Sequence, residues 1–330
     1  MTTDTKNRIL GYLKTNGQGR VKDLVQHLQI GNVAVHRQLK RLVDAGKLIK
    51  SGKPPTVFYR LLEKTQQEQQ FESKQMVGML ENTYVYIDPV GQIIPGMTGF
   101  KMWATRVGKT DQIESLVKRY LLDRQWADSF KSKQGWIDAV GKTRKTFGDE
   151  MFLDGVYYKD FYSLQTFGKT RLGQFVLYGK QSENRELMWQ TADESKQLIM
   201  DLIKYLEVEA VGFLPHSILR KVQFLKEFSK RLELKLPQIS LVKAYSGGIR
   251  VAQKTLGRLE ERVENARKTI FIDSRPGQVF DKVLLIDDAV GSGATLNETA
   301  KKLKELGMAK QVYGFAVVGS MKGFEIIREV

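Results

Sequence analysis

Two adjacent aspartates, a Gly-Ser-Gly turn and a threonine fall within nine residues, Asp287–Thr295, of the run VLLIDDAVGSGATL at 283–296. Val283–Ile286 reads as a buried strand, with Asp287 and Asp288 at its carboxyl end. Ala289, Val290, Gly291, Ser292, Gly293, Ala294 and Thr295 then form a small-residue loop that opens a helix. Backbone N–H groups at a helix N-terminus make a preformed phosphate site, and Ser292 and Thr295 add hydroxyl donors. The two carboxylates lie beside whatever carries that phosphate. A sugar with vicinal hydroxyls, with Mg²⁺ at Asp287 and Asp288 directly or through water, satisfies both halves. The competing reading is a plain loop after a core strand.

Other nucleotide motifs fail on inspection. Gly-Lys-Thr occurs at 108–110, 141–143 and 168–170, but Trp103, Trp136 and Ser163 stand where a phosphate-binding P-loop needs its first glycine. Gly291-Ser292-Gly293 begins like a dinucleotide fingerprint, yet Leu296 takes the third glycine position. Cysteine is absent from the sequence, which excludes disulfides, thiolate zinc sites and thiol catalysis. With His27, His36 and His216 as the only histidines, scattered along the chain, a histidine-rich metal site is not expected either. His27 is expected in helix packing, His36 on a face toward DNA or solvent, and His216 near the aspartates.

The elements that must hold these residues follow from periodicity. From about residue 160 the chain alternates helices with short apolar strands, which implies a parallel sheet covered on both faces and a ligand at the carboxyl ends of its strands. Helices are expected at Glu186–Leu206, Ser217–Leu232 and Leu296–Leu306. The expected strands are Val211–Leu214, Ile239–Val242, Thr269–Ile272, Val283–Ile286 and Val312–Val318. Residues 76–159 form an α+β middle segment of unassigned role, with a hairpin in TYVYIDPVGQII and an amphipathic helix over Asp111–Phe130. Residues 63–75, with five glutamines, read as a linker of good helix formers.

Residues 1–62 form a separate unit. Apolar positions predict a helix through Ile9, Leu10 and Leu13, a second over Val21–Leu28 and a third over Asn32–Ala45. Val35, Leu39 and Leu42 share one face of the third helix. A hairpin follows, Leu48–Lys50 and Val57–Leu61 about the turn Ser51–Pro55. Of the net charge of +16, these residues carry +9, from seven Lys and five Arg against three Asp. A basic balance concentrated in one segment points to a polyanion such as duplex DNA. The run VHRQLKRLVDAGKLIKSGKPPTVFYRL resembles the winged helix-turn-helix regulators of bacteria. The DNA-binding candidates are Asn32, His36, Arg37, Lys40, Arg41 and, on the wing, Lys53; protein docking is the alternative.

The acidic pair and its loop resemble the 5-phosphoribosyl-1-diphosphate (PRPP) motif of type I phosphoribosyltransferases. The resemblance implies that Asp287 and Asp288 contact the ribose hydroxyls and that 289–295 hold the 5′-phosphate. Gly291 departs from it, since many members have Thr or Ser there. Over about 160–320 the chain also resembles the ComF-like phosphoribosyltransferases associated with competence, at Lys180, Pro215, Arg220, Gln253, Leu256, Arg262 and Asn265. That family's amino-terminal cysteine cluster is missing, and the Leu256 to Arg262 spacing is one residue long.

The resemblance implies a phosphoribosyltransferase-type α/β domain over 160–330 and a hood over 244–268. Lys254, Arg258 and Arg262 would neutralise a departing diphosphate, with Arg220 and Lys221 as further diphosphate contacts. Lys322 and Phe324 would hold a base. A solvated amphipathic helix is the alternative for TLGRLEERVENARK. The expected cofactor is Mg²⁺ and the expected partners are PRPP and duplex DNA, with a homodimer left open. No apolar stretch is long enough for a signal peptide or a membrane span, so a cytoplasmic protein is expected. Enzyme, PRPP-sensing regulator and competence-type nucleic-acid protein remain open readings.

Overall fold

Val283 and Leu285 bury their side chains in one apolar cluster while Leu284 and Ile286 bury theirs in another. Successive strand residues point to opposite faces, so a four-residue apolar run must be covered on both sides. The computed structural model describes residues 2–45, 47–53, 56–61, 66–247, 249–273 and 278–320. It divides into two units, Met1–Gln75 and Met76–Val330.

The first unit holds α1 (Thr2–Asn16), β1 (Gln18–Gly19), α2 (Val21–Leu28), α3 (Asn32–Asp44), β2 (Leu48–Lys53) and β3 (Thr56–Leu61). Ile9 and Leu13 of α1, Leu24 and Leu28 of α2, and Val35, Leu39 and Leu42 of α3 close on Leu48 and Tyr59. Full burial of each such side chain is worth about 1.5–3 kcal/mol. The breaker run 15–19 is more than a turn: Gln18 and Gly19 pair antiparallel with Arg60 and Tyr59, giving the sheet order β1-β3-β2. Gln29 ends α2 in the left-handed region at φ 55°, and its N–H returns to the Val25 carbonyl.

Helix α4 (Gln66–Thr83) carries the chain from the first unit into the second. Residues 63–65 of the expected linker, like Gly46, Pro54 and Pro55, lie outside the described residues.

The second unit opens with the hairpin β4 (Val85–Ile87) and β5 (Ile93–Pro95), then α5 (Gly96–Arg106) and α6 (Ile113–Asp128). Next come β6 (Ile137–Asp138), α7 (Val140–Phe147), β7 (Gly155–Phe161), β8 (Ser163–Leu164), β9 (Gly168–Lys169), α8 (Arg171–Gln181) and α9 (Arg185–Leu206). The chain continues through β10 (Ala210–Phe213), α10 (Phe224–Leu232), β11 (Ser240–Lys243), α11 (Leu259–Thr269) and β12 (Ile270–Asp273). It closes with β13 (Phe280–Val290), α12 (Ala294–Glu305) and β14 (Ala309–Gly319). The central sheet has the order β10-β13-β14-β7-β6, parallel except for the edge strand β6. Helices α8, α9 and α10 cover one face, and α5, α6 and α12 the other.

Four expectations change. The boundary at 159/160 falls inside β7, and the middle segment supplies both that strand and a helical layer, because Phe100, Val117 and Tyr120 share a core with Val283 and Leu285. The helix over Ser217–Leu232 begins only at Phe224. Ser217–Gln223 is irregular, held by Gln223 Nε2 donating to the Ile218 and Arg220 carbonyls and by the Val222 N–H donating to Glu183. Strands β11 and β12 leave the central sheet and pair antiparallel with each other, β11 with no fully buried residue and β12 with Ile270 alone. Finally, β13 runs eleven residues, so Asp287 through Val290 are strand rather than loop. Pairing with β14 continues to Val290 and Gly319, which is why the strand outlasts its apolar run.

Candidate functional site

At the carboxyl end of β13 the chain turns through Gly291, Ser292 and Gly293 into α12. Gly293 sits at φ 82°, a conformation that favours glycine. Ser292 Oγ accepts the Ala294 N–H at 3.3 Å, and the Asn297 N–H reaches the Gly293 carbonyl at 2.9 Å. The remaining first-turn N–H groups have no intrahelical acceptor by construction. Asp287 to Leu296 line a cavity of about 500 Å³.

Other elements close the cavity around that end. The loop after β10 brings Pro215, His216, Ser217 and Arg220, and the segment before α11 brings Gln253. Arg262 enters from α11, with Nε donating to the Leu256 carbonyl at 3.0 Å. Gln253 Nε2 in turn donates to the Arg262 carbonyl at 3.0 Å. Lys180 arrives from α8, whose start is anchored by Thr170. That hydroxyl donates to the Phe161 carbonyl at 2.7 Å and accepts the Gly173 N–H at 3.0 Å, tying α8 to the end of β7.

The charges are arranged in two groups. Asp288 accepts from Lys180 Nζ at 2.9 Å, and its N–H donates to Asp287 Oδ1 at 2.8 Å. Burial and the neighbouring Asp288 push the Asp287 carboxyl up to about 7, against the pull of Lys180 and Lys243. For Lys180, burial works against the charged form, but Asp288 outweighs it and holds the ammonium above its ordinary range. Lys243 of β11, donating to Ser217 Oγ at 2.9 Å, is lowered to about 8 by burial, with Asp287 opposing. Burial, then Arg250, Arg220 and Lys226, depress His216. Three cations therefore act on one imidazole.

A Mg²⁺ ion prefers carboxylate oxygens shared with ligand phosphates and water. Asp287 fits that demand; Asp288 already has the Lys180 ammonium. Among the described residues no three His, Asp or Glu side chains gather to hold a metal, so ligand oxygens would have to complete the shell.

Most residues singled out in the second unit come together here, including Arg220, Arg262 and 287–295. Lys221 does not line the cavity and is exposed, as is Arg258, whose N–H donates to Glu261 at 3.2 Å in the first turn of α11. The side chains of Lys254 and Lys53, and all of Lys322 and Phe324, lie outside the described residues. Lys243 and Ser217 were not foreseen: a lysine in a half-buried strand and a serine in a loop carry no local signal. Lys180 was visible only through the family resemblance.

In the first unit, Asn32, His36, Arg37, Lys40 and Arg41 are all exposed on α3, whose Val35, Leu39 and Leu42 are buried. The His27 ring packs against Tyr12 of α1 at 4.8 Å between centroids.

No protein-family model matches the chain, and no curated protein matches it. Its neighbours among solved structures are phosphoribosyltransferases. A hypoxanthine phosphoribosyltransferase from Staphylococcus aureus is 14% identical with a TM-score of 0.26, over 44% of this chain and 71% of that one. A purine phosphoribosyltransferase from Pyrococcus horikoshii is 14% identical with a TM-score of 0.23, over 43% and 95%. An adenine phosphoribosyltransferase from Trypanosoma brucei, solved with AMP, pyrophosphate and ribose-5-phosphate, is 15% identical with a TM-score of 0.24, over 54% and 79%. Likenesses of this size establish no activity for this chain. Among the described residues no helix is long and apolar enough to cross a membrane.

Proposed function

We propose that the second unit binds PRPP at the carboxyl end of β13 and carries out Mg²⁺-dependent phosphoribosyl transfer. The observation that carries this reading is the order of groups along one cavity. An acid pair stands directly before a glycine turn and a helix N-terminus, and Arg220, Arg262 and His216 line the same cavity. The turn Gly291–Gly293 and the first residues of α12 take the 5′-phosphate through backbone N–H groups and the Ser292 and Thr295 hydroxyls. Asp287 and Asp288 accept the ribose hydroxyls and offset the positive charge that grows on the ring as diphosphate departs. Arg220 and Arg262 neutralise that diphosphate, and Mg²⁺, when bound, supplies further charge compensation at Asp287.

The first unit is read as a winged helix-turn-helix that binds duplex DNA through α3. The concentration of +9 in residues 1–62 and the exposed cations of α3 favour it. This makes a PRPP-sensing regulator the second reading, with the same site but no turnover.

A thermal scan with Mg·PRPP tests the site. At 100 times the dissociation constant the stabilisation is about 2.7 kcal/mol when only the folded state binds. No shift at millimolar ligand removes the PRPP assignment. Diphosphate release in the presence of candidate acceptors then separates transfer from sensing, where PRPP changes DNA affinity alone.

A further inference from the structure

Asp287 and Asp288 form a carboxylate pair of the kind that attracts divalent cations, yet one of the two is already answered from within the chain. Lys180 Nζ lies 2.9 Å from Asp288 Oδ1, across 108 residues of sequence. The contact is sheltered, with the lysine side chain 25% exposed and the aspartate 12%. It is also built rather than casual: Thr170 fixes the start of α8 to the end of β7, and the helix delivers Lys180 to the site ten residues later. Lys243, held by Ser217, presents a second ammonium whose field reaches Asp287. Arg220 lies close enough to act on Lys180.

We propose that Lys180 is a tethered cation that occupies the place of a divalent ion at Asp288, so that the ligand-free acid pair rejects free divalent metal. An ammonium is a compact point charge with three donors. It satisfies Asp288 without the near-octahedral shell that Mg²⁺ demands, and it repels a second cation arriving at the same oxygens. Metal then enters this site with the phosphates of a ligand, whose own negative charge outweighs the lysine. The inference deepens the PRPP reading, but its core claim concerns the acid pair and metal alone.

The test is a titration of the full-length protein with Mn²⁺ alone, followed by calorimetry and by the electron paramagnetic resonance signal of free Mn²⁺. Lys180→Met should bind Mn²⁺ at least about tenfold more tightly than the wild type. The gained site should disappear in Lys180→Met/Asp287→Asn, while Lys180→Arg, which keeps the charge, should behave as the wild type. Lys180→Gln carries the same expectation as the methionine variant if the latter fails to fold. Equal Mn²⁺ affinity in the wild type and the neutral variants overturns the proposal. A parallel scan with Mg·PRPP keeps the two ideas apart. No PRPP shift in the wild type, together with a gained Mn²⁺ site in Lys180→Met, would end the phosphosugar reading and leave the role of Lys180 intact.

Discussion

Arg124 of α6 and Asp160 of β7 meet through two hydrogen bonds, Nη1 to Oδ2 at 2.9 Å and Nη2 to Oδ1 at 2.8 Å. Both residues are buried, and Asp128 adds a further pair of bonds to the same guanidinium. Burial disfavours the arginine charge, but Asp160 and Asp128 outweigh it and hold the group protonated. The contact pins the middle segment to the central sheet beside the strand end that anchors α8.

Removing the arginine leaves the Asp160 carboxylate buried without its match, whereas removing Asp160 would leave Arg124 still held by Asp128. Arg124→Ala should therefore cost about 3–5 kcal/mol in urea or guanidinium unfolding. Replacing both residues by apolar ones should cost much less. If the single and double variants lose the same amount, the pair is not what holds α6 to β7.

The raised Asp287 carboxyl predicts a pH-dependent variant. Its folded value of about 7 lies above the ordinary 3.8. Between those values the folded state holds a proton that the unfolded chain has released, so this group's contribution to stability falls as pH rises from about 3.8 and is lost by about 7. Asp287→Asn mimics the protonated form. It should leave the melting temperature nearly unchanged at about pH 3.5, below the ordinary value, and raise it at pH 8. A variant equally shifted at both pH values contradicts the assignment.

Gly293 lies in the left-handed region at φ 82°, and an added Cβ meets Phe147 and Val290 only at ordinary contact distance. The expected penalty of Gly293→Ala is thus conformational, about 1–2 kcal/mol. The same substitution should abolish the stabilisation by Mg·PRPP, because the turn sets the direction of the first N–H groups of α12. A fully retained ligand shift would place the phosphate elsewhere.

For the first unit, each phosphate contact removed should lower the salt slope of DNA binding by about 0.9. Lys40→Ala and Arg37→Ala, both at exposed positions of α3, should each weaken binding to any duplex sequence. Unchanged affinity and slope in both variants would make the unit a docking module.

The sequence by itself determined the parts whose signal is local. Val283–Ile286 announces a strand buried on both faces, Asp287 and Asp288 follow it, and Gly291–Gly293 marks the turn into α12. The spacing of Ile9, Leu13, Leu24, Leu28, Val35, Leu39 and Leu42 likewise shows the faces of three helices, since periodicity reports which side of an element is buried. It does not report what buries it. Only the tertiary structure placed β7 beside β14, turned residues 76–159 into a layer of the same unit and separated β11 and β12 as their own ribbon. Strand partners are chosen by long-range packing that leaves no mark on a strand's own alternation. The turn at 217–223 escaped for a related reason: its helical composition is overridden by the hydrogen bond that Glu183 accepts from the Val222 N–H and by those that Gln223 donates. Lys180 is the sharpest case. A lysine near the end of an amphipathic helix looks solvated in sequence, and it becomes the partner of Asp288 only because Thr170 roots that helix at the end of β7 and points it at the carboxyl end of β13.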